Sequence, residues 1–366
     1  MNVFGLLLLL LLPLAGVGYV AWHVWVLLPL GTLWRALVVG LGILCFLTLF
    51  LDFTGRLDLF PMPLARALYN IGTSSLILLL YLAMLFIVAD LGRLCGWVPR
   101  SWLYANGWVS LGVLVTMMSV FTYGFLHYRQ KVRVELELTS AKTLDRPYRM
   151  VMASDLHLGY HNDRKELARW VDMINAERPD LILIAGDIID VSVRPLIEEN
   201  MAAEFHRLQA PVYACLGNHE YYAREPKARQ FYKDAGIRLL RDETLLIDSA
   251  LVIVGRDDRT NPNRSSLAQL MQGVDTTKYV VLLDHQPHDL AEAELAGVDF
   301  QFSGHTHRGQ VWPISWITDG IYECSWGSHQ RSNTRYYVSS GLGIWGARFR
   351  IGTQSEYVVA TIQTIH

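Results

Sequence analysis

The sequence is short of the features that define several common protein classes. Only four cysteines occur in 366 residues, at Cys45, Cys95, Cys215 and Cys324. Their spacing makes neither a disulfide framework nor a zinc knuckle. An excess of positive charge is also missing: 32 Lys and Arg stand against 34 Asp and Glu, for a formal net charge of -2. Nucleic-acid-binding domains usually carry a basic patch or stripe, so no nucleic-acid partner is expected. No repeat is present, and low complexity is confined to the leucine run Leu6–Leu12. No Lys or Arg precedes the first apolar stretch and no small-residue cleavage site follows it, which speaks against a cleaved signal peptide. The sharpest scarcity is local. From Met1 to about Leu126 charged residues are few, whereas from about Lys131 onward the composition is that of a soluble α/β protein.

Crossing a bilayer as a helix takes roughly 20 apolar residues. Four stretches of the first part qualify: Val3–Val24, Leu33–Leu51, Leu68–Ala89 and Leu103–Phe125. Trp22, Trp25, Trp34, Trp97, Trp102 and Trp108 sit near their ends, where interfacial aromatics belong. With four spans, the N-terminus, the middle loop and the soluble half share one side. That side carries Arg56, Arg66, Arg129, Lys131, Arg133 and Lys142, against Arg35, Arg93 and Arg100 on the other. The positive-inside bias then puts the soluble half in the cytoplasm, and a count of three or five spans would reverse it. The expected division is a transmembrane helical part over 1–128 and a soluble domain over 129–366.

In the soluble half, Val132–Thr139 alternates apolar and charged residues and predicts a half-exposed strand. Strands are also expected over Tyr148–Ala153, Asp180–Ala185, Val212–Leu216, Ile237–Leu240, Tyr279–Leu283, Tyr336–Ser339 and Tyr357–Gln363, with a hairpin over Thr244–Gly255. Leu167, Trp170, Val171 and Ile174 recur at helical spacing, which predicts an amphipathic helix over Lys165–Ala176. Further helices are expected over Glu198–Leu208, Pro226–Asp234, Ser265–Met271 and Asp289–Leu295. The alternation of β and α early and the richness in strands later imply two sheets packed face to face with helices outside.

Five stretches rich in carboxylate, imidazole and amide side chains each follow an apolar run. They are Ser154-Asp155-Leu156-His157, Gly186-Asp187-Ile188-Ile189-Asp190, Gly217-Asn218-His219-Glu220, Asp284-His285 and Gly304-His305-Thr306-His307. Strand C-termini converge on one rim of an α/β sheet, where sites are built. Five such donor groups exceed what a structural zinc needs, and the absence of Cys donors argues against one. Imidazole with carboxylate and amide oxygen suits Mn, Fe, Co or Zn better than Ca.

In order and spacing these stretches resemble the motif series of the calcineurin-like metallophosphoesterases, over roughly Tyr148 to Ile362. Gly304-His305-Thr306-His307 followed by Gly309-Gln310 is closest to a membrane-associated bacterial group, some of whose relatives cleave the pyrophosphate of UDP-diacylglucosamine. Arg308 stands where that group has Gly, and His288 where an Asp is usual. The resemblance implies an α/β protein: N-terminal transmembrane helices followed by a two-sheet αββα sandwich. It implies two divalent metals, Mn before Fe, Zn or Co. Asp155, His157, Asp187 and His307 would hold one, and Asp187, Asn218, His285 and His305 the other, with Asp187 bridging. His219, beside a ligand but not one itself, would protonate the leaving group. His305 and His307 would have to bend out of an extended strand, with Gly304 permitting the bend.

Other residues carry weaker expectations. Asp190 is either an outer support of the ligands or a cap, and Glu220 and Asp284 are structural or supporting. His161 is a candidate for substrate contact. His23, His127, His206, His329 and His366 read as bystanders. Arg308 either binds a second phosphate with its planar fork or is a surface residue. Trp312, Trp316, Tyr322, Trp326 and Trp345 either form an apolar lip or cover a sheet. The expected function is a membrane-anchored phosphohydrolase of the bacterial inner membrane acting on a phospholipid or lipid-linked phosphoester. The alternatives are a phosphodiesterase for a soluble substrate and a non-catalytic receptor or transporter subunit. The oligomeric state is left open.

Overall fold

The computed structural model describes residues 3–364, with side chains described from Pro13 onward. Two compact units form, Met1–Gly124 and Phe125–His366. In the first, three helices among the described residues are long and apolar enough to cross a membrane: Thr32–Phe53, Met62–Leu94 and Gly107–Arg129. The first expected span, Val3–Val24, lies within one apolar helix, Val3–Leu27, whose side chains are described from Pro13 onward. The last span starts four residues later than expected because Asn106 caps it, its Oδ1 accepting the Val109 N–H at 3.1 Å. Gly72 lets two of these helices touch: a Cβ there would lie 2.6 Å from the Leu49 backbone nitrogen. His23 is not a bystander. Its Nε2 lies 3.0 Å from Asp90 Oδ2, Tyr19 Oη donates to the same oxygen at 2.9 Å, and the ring stacks on Phe86 at 4.6 Å. A polar pair of this kind is a strong tie between helices surrounded by apolar residues.

Among the described residues the second unit contains twelve strands: β1 (Lys131–Ser140), β2 (Tyr148–Ala153), β3 (Leu181–Ala185), β4 (Val212–Cys215), β5 (Arg238–Leu239), β6 (Glu243–Ile247), β7 (Leu251–Gly255), β8 (Tyr279–Leu283), β9 (Phe300–Ser303), β10 (Gly327–Arg331), β11 (Thr334–Val338) and β12 (Ser355–Thr364). They make two six-stranded sheets, ordered β1-β12-β2-β3-β4-β5 and β10-β11-β9-β8-β7-β6. β2 through β5 run parallel, as do β7, β8, β9 and β11. Each sheet therefore delivers the C-termini of its central strands to a single rim.

Side chains alternate between the two faces of a strand, and the burial follows that period. Met150, Met152, Leu181 and Leu183 pack against Leu251, Ile253, Val281 and Leu283 between the sheets. Val151, Ala153, Ile182 and Ile184 face the other way, onto Leu167, Trp170, Val171 and Ile174 of the helix Arg164–Ala176. On the far side Val252, Val254, Val280 and Leu282 meet Leu267, Leu290 and Ala293. The expected αββα sandwich is the fold.

Several elements differ from expectation. The helix expected over Glu198–Leu208 is two short pieces, Arg194–Glu198 and Ala202–Phe205, because Asn200 between them takes φ 52. The edge strand β10 and the helix Ile314–Ile321 were not anticipated.

Candidate metal centre

Every ligand singled out in the sequence sits just past a strand end. Asp155 and His157 follow β2, Asp187 follows β3, Asn218 and His219 follow β4, His285 follows β8, and His305 and His307 follow β9. The structure brings them together. Asp155, His157 and His307 offer donor atoms within 4.8 Å of one another, as do Asp187, His285 and His305, and also His157, Asp187 and His219. Asn218 joins the second set, its Oδ1 lying 2.9 Å from His305 Nδ1 and 3.2 Å from His285 Nε2. Asp187 Oδ2 lies 3.1 Å from His285 Nε2 and 3.7 Å from His157 Nε2, so it stands between the two sets.

The backbone is bent to achieve this. Asp155 (φ 54), His157 (φ 44), Asp187 (φ 51), His305 (φ 71) and His307 (φ 48) are all left-handed. Non-glycine residues in this region cost of order 1–3 kcal/mol each and persist where surrounding bonds enforce them. Glu220 supplies such bonds. Its buried carboxylate accepts N–H groups from Gly217 at 2.7 Å, Ile189 at 3.0 Å and Asp187 at 3.1 Å, tying the loops after β3 and β4 together. The expectation for Gly304 changes. The histidines take the positive φ themselves, and Gly304 provides space: a Cβ there would lie 2.2 Å from Asp155 Oδ2. That closeness lets the His305 N–H donate to Asp155 Oδ1 at 3.0 Å.

Hydrogen bonds at the back of the rings set which nitrogen faces inward. His285 Nδ1–H donates to the Ala185 carbonyl at 2.7 Å. Its Nε2 lone pair then faces a carboxylate oxygen and an amide oxygen, and a cluster of acceptors this dense calls for a cation. His157 Nδ1 lies 3.1 Å from Asp190 Oδ1, and its Nε2 faces His307 Nε2 at 3.0 Å. A carboxylate behind a ligating imidazole is the usual way to hold such a ring, so Asp190 supports the ligands and does not cap a helix. These donors fit a pair of divalent ions in residue type and direction.

Charge reinforces the pattern. Burial opposes ionisation of Asp187, but His285 and His219 hold its carboxyl well below the usual carboxylate range. Burial likewise opposes charge on Asp155, and His307 with His157 outweighs it. Burial would lower His157, yet Asp155 and Asp190 push it up to about 10. Burial, with His285 adding, brings His305 down to about 4. Burial also lowers His219, whose Nδ1–H donates to the Asp190 carbonyl at 3.0 Å.

Several expectations are revised around this centre. His161 is 2% exposed, and its Nε2–H donates to the Ile344 carbonyl at 2.5 Å. It lies beside Asp190, its Nδ1 3.8 Å from Asp190 Oδ2, closed off from solvent. Asp284 is structural, bound by Arg256 at 3.2 Å and Arg264 at 3.4 Å. His288 packs on Tyr322, ring centroids 4.9 Å apart. Arg308 has φ 48, the conformation that explains why glycine is expected there, and its guanidinium lies 4.3 Å over the Trp326 ring. Arg350 was missed. Fully buried, it donates to the His307 carbonyl at 2.8 Å and the Gly343 carbonyl at 3.1 Å, fixing the loop that carries His307. No motif surrounds it, so only its distant partners reveal it.

A sequence model described as "Calcineurin-like phosphoesterase" matches residues 148–309, a stretch that holds all the ligands above. An uncharacterized metallophosphoesterase of Aquifex aeolicus is 34% identical over 226 residues, 59% of this chain and 85% of that protein. An uncharacterized metallophosphoesterase of Campylobacter jejuni is 29% identical over 243 residues, 63% of this chain and 62% of the relative. A Danio rerio "transmembrane protein with metallophosphoesterase domain" is 27% identical over 271 residues, 67% of this chain and 60% of its own length. The chain thus spans less than two thirds of the last two.

Proposed function

The chain belongs to the calcineurin-like phosphoesterase family, and on that premise we propose that it is a membrane-anchored hydrolase with a two-metal centre. It cleaves a phosphodiester or pyrophosphate bond in a lipid-linked substrate, in the manner of UDP-diacylglucosamine pyrophosphatase-type relatives. The observation that carries this reading is Asp187 Oδ2, 3.1 Å from one imidazole set and 3.7 Å from the other. Asp155, His157, Asp187 and His307 would hold one ion, and Asp187, Asn218, His285 and His305 the second, with Mn favoured over Fe, Zn or Co. Two ions at such a site supply an activated water at neutral pH and offset charge on the phosphoryl oxygens.

The chain's own residues do the rest. Asp190 and the Ala185 carbonyl orient His157 and His285. His219 donates Nδ1–H to the Asp190 carbonyl, which leaves Nε2 as the atom that takes up a proton from water and passes it to the leaving oxygen. A complete donor set argues against a vestigial, non-catalytic domain. Three apolar helices of membrane-crossing length keep the domain at a bilayer, where a lipid substrate is locally concentrated. The test is hydrolysis by the purified full chain with Mn²⁺ over a panel of lipid pyrophosphates, nucleotides and simple diesters. Turnover of a lipid pyrophosphate well above the soluble compounds is expected. Equal or better turnover of nucleotides would select the soluble-substrate reading.

A further inference from the structure

Large apolar side chains exposed on the sandwich are mostly scattered: Ile197, Tyr222, Leu246 and Leu295 each stand alone in the sequence. Scattered ones need no explanation. Trp312, Trp316, Ile317 and Ile321 are different, because they crowd into one short stretch at 38%, 67%, 56% and 64% exposure. The helix Ile314–Ile321 carries three of them, while Ser315 faces inward and is buried. The Trp312 and Trp316 rings meet edge to face at 5.3 Å. Of the tryptophans weighed together in the sequence, these two are exposed. Trp326 is half-buried, its Nε1–H donating to the Glu356 carboxylate at 3.1 Å.

The stretch is fixed beside the metal centre. It begins soon after His307 and ends at Tyr322, whose ring centroid is 6.3 Å from that of His305. Thr306 Oγ1 donates to the Ser325 carbonyl at 2.6 Å, closing the loop that contains the helix. The helix also lies past the family match, which stops at residue 309.

We propose that Trp312 and the helix Ile314–Ile321 dock into the interfacial region of the lipid bilayer. The occupant follows from the chain itself. The apolar helix Gly107–Arg129 is followed by β1 at Lys131, leaving only Gln130 between membrane-crossing helix and sandwich. A bilayer is therefore within reach throughout the protein's life. Tryptophan favours the membrane interface, and large apolar side chains beside it bury into the acyl boundary. From Trp312 to Ile321 the only charged residue is Asp319, so insertion costs little in buried charge. The docked helix holds the mouth of the metal centre against the lipid surface. This inference rests on the membrane anchoring in the proposed function, but not on hydrolysis or on the substrate.

The test is fluorine NMR of the full chain, labelled with 5-fluorotryptophan, in nanodiscs of phosphatidylethanolamine and phosphatidylglycerol. Trp312→Phe and Trp316→Phe each remove one resonance and so assign it. Both positions are exposed, so the variants leave the fold intact. Both resonances are expected to broaden when a lipid spin-labelled on its acyl chain is added, and to be spared by an aqueous gadolinium chelate. Broadening by the chelate alone would show a water-exposed helix and overturn the proposal. Sparing by both agents would show cover by protein, such as a second copy, and overturn it equally. Hydrolysis measured on the same discs is read separately, so an active enzyme with chelate-exposed tryptophans would refute the docking and leave the phosphohydrolase standing.

Discussion

Asp190 faces three imidazoles from behind the centre. Its Oδ1 lies 3.1 Å from His157 Nδ1 and 3.5 Å from His219 Nδ1, and its Oδ2 3.8 Å from His161 Nδ1. Replacing it with Asn keeps the shape but removes the charge that holds His157 in its ligating tautomer. Asp190→Asn is expected to lower metal affinity or activity by about 10–100-fold, measured by metal titration and steady-state kinetics. Unchanged values in both would return Asp190 to the role of a simple loop residue. His219 sits at the edge of the same cluster, close enough to be taken for a ligand. If it is the proton donor, His219→Ala retains its metals and loses more on poor leaving groups than on nitrophenolate, by about 10²–10⁴-fold at most. Loss of metal, or an equal loss on both substrates, would make it a ligand or a structural residue.

At the scale of elements, the loop after β9 concentrates the strain. His305, His307 and Arg308 are all left-handed there, and the approach of Gly304 to Asp155 leaves no room for a methyl group. Gly304→Ala must push this loop off Asp155, so metal affinity should fall while circular dichroism stays that of the wild type. The expected stability loss is about 1–3 kcal/mol, read from the thermal midpoint. A fully stable, metal-loaded variant would mean the loop is not tight. The same elements show what a sequence can tell. β2 and β8 were legible to the residue, because Tyr279–Leu283 is an unbroken apolar run and Tyr148–Ala153 is apolar apart from Arg149. The candidate ligands stood out as a set because each follows a strand-like run. β10 was not legible, since Gly327–Arg331 is a polar edge strand half open to solvent. The helix Ile314–Ile321 is only eight residues long, so the polar face of Ser315, Thr318 and Asp319 is too brief a pattern to mark its period. The break at Asn200 and the grip of Arg350 on His307 depend on local backbone and distant partners that no periodicity encodes.

For the whole molecule, sidedness decides which substrates are available. Arg129, Lys131, Arg133 and Lys142 lie just beyond the last membrane-crossing helix, and such clusters resist translocation. On the four-span count, with the apolar helix Val3–Leu27 as the first, the sandwich is expected in the cytoplasm, where nucleotide-linked lipid precursors are accessible. A fluorescent protein fused after His366 in a bacterial host should mature, and alkaline phosphatase in the same place should stay inactive. The reverse pattern would put the centre on the outer face and leave envelope lipids as candidates.

The claim on which the rest depends is that Asp187 joins two metal sites into one hydrolytic centre. The direct measurement is elemental analysis of the purified full chain and of Asp187→Ala, with hydrolysis assayed on the same samples. The account predicts about two divalent ions per wild-type chain, loss of at least one in the variant, and no detectable turnover without the bridge. An Asp187→Ala protein that keeps the wild-type metal content and full activity would contradict it.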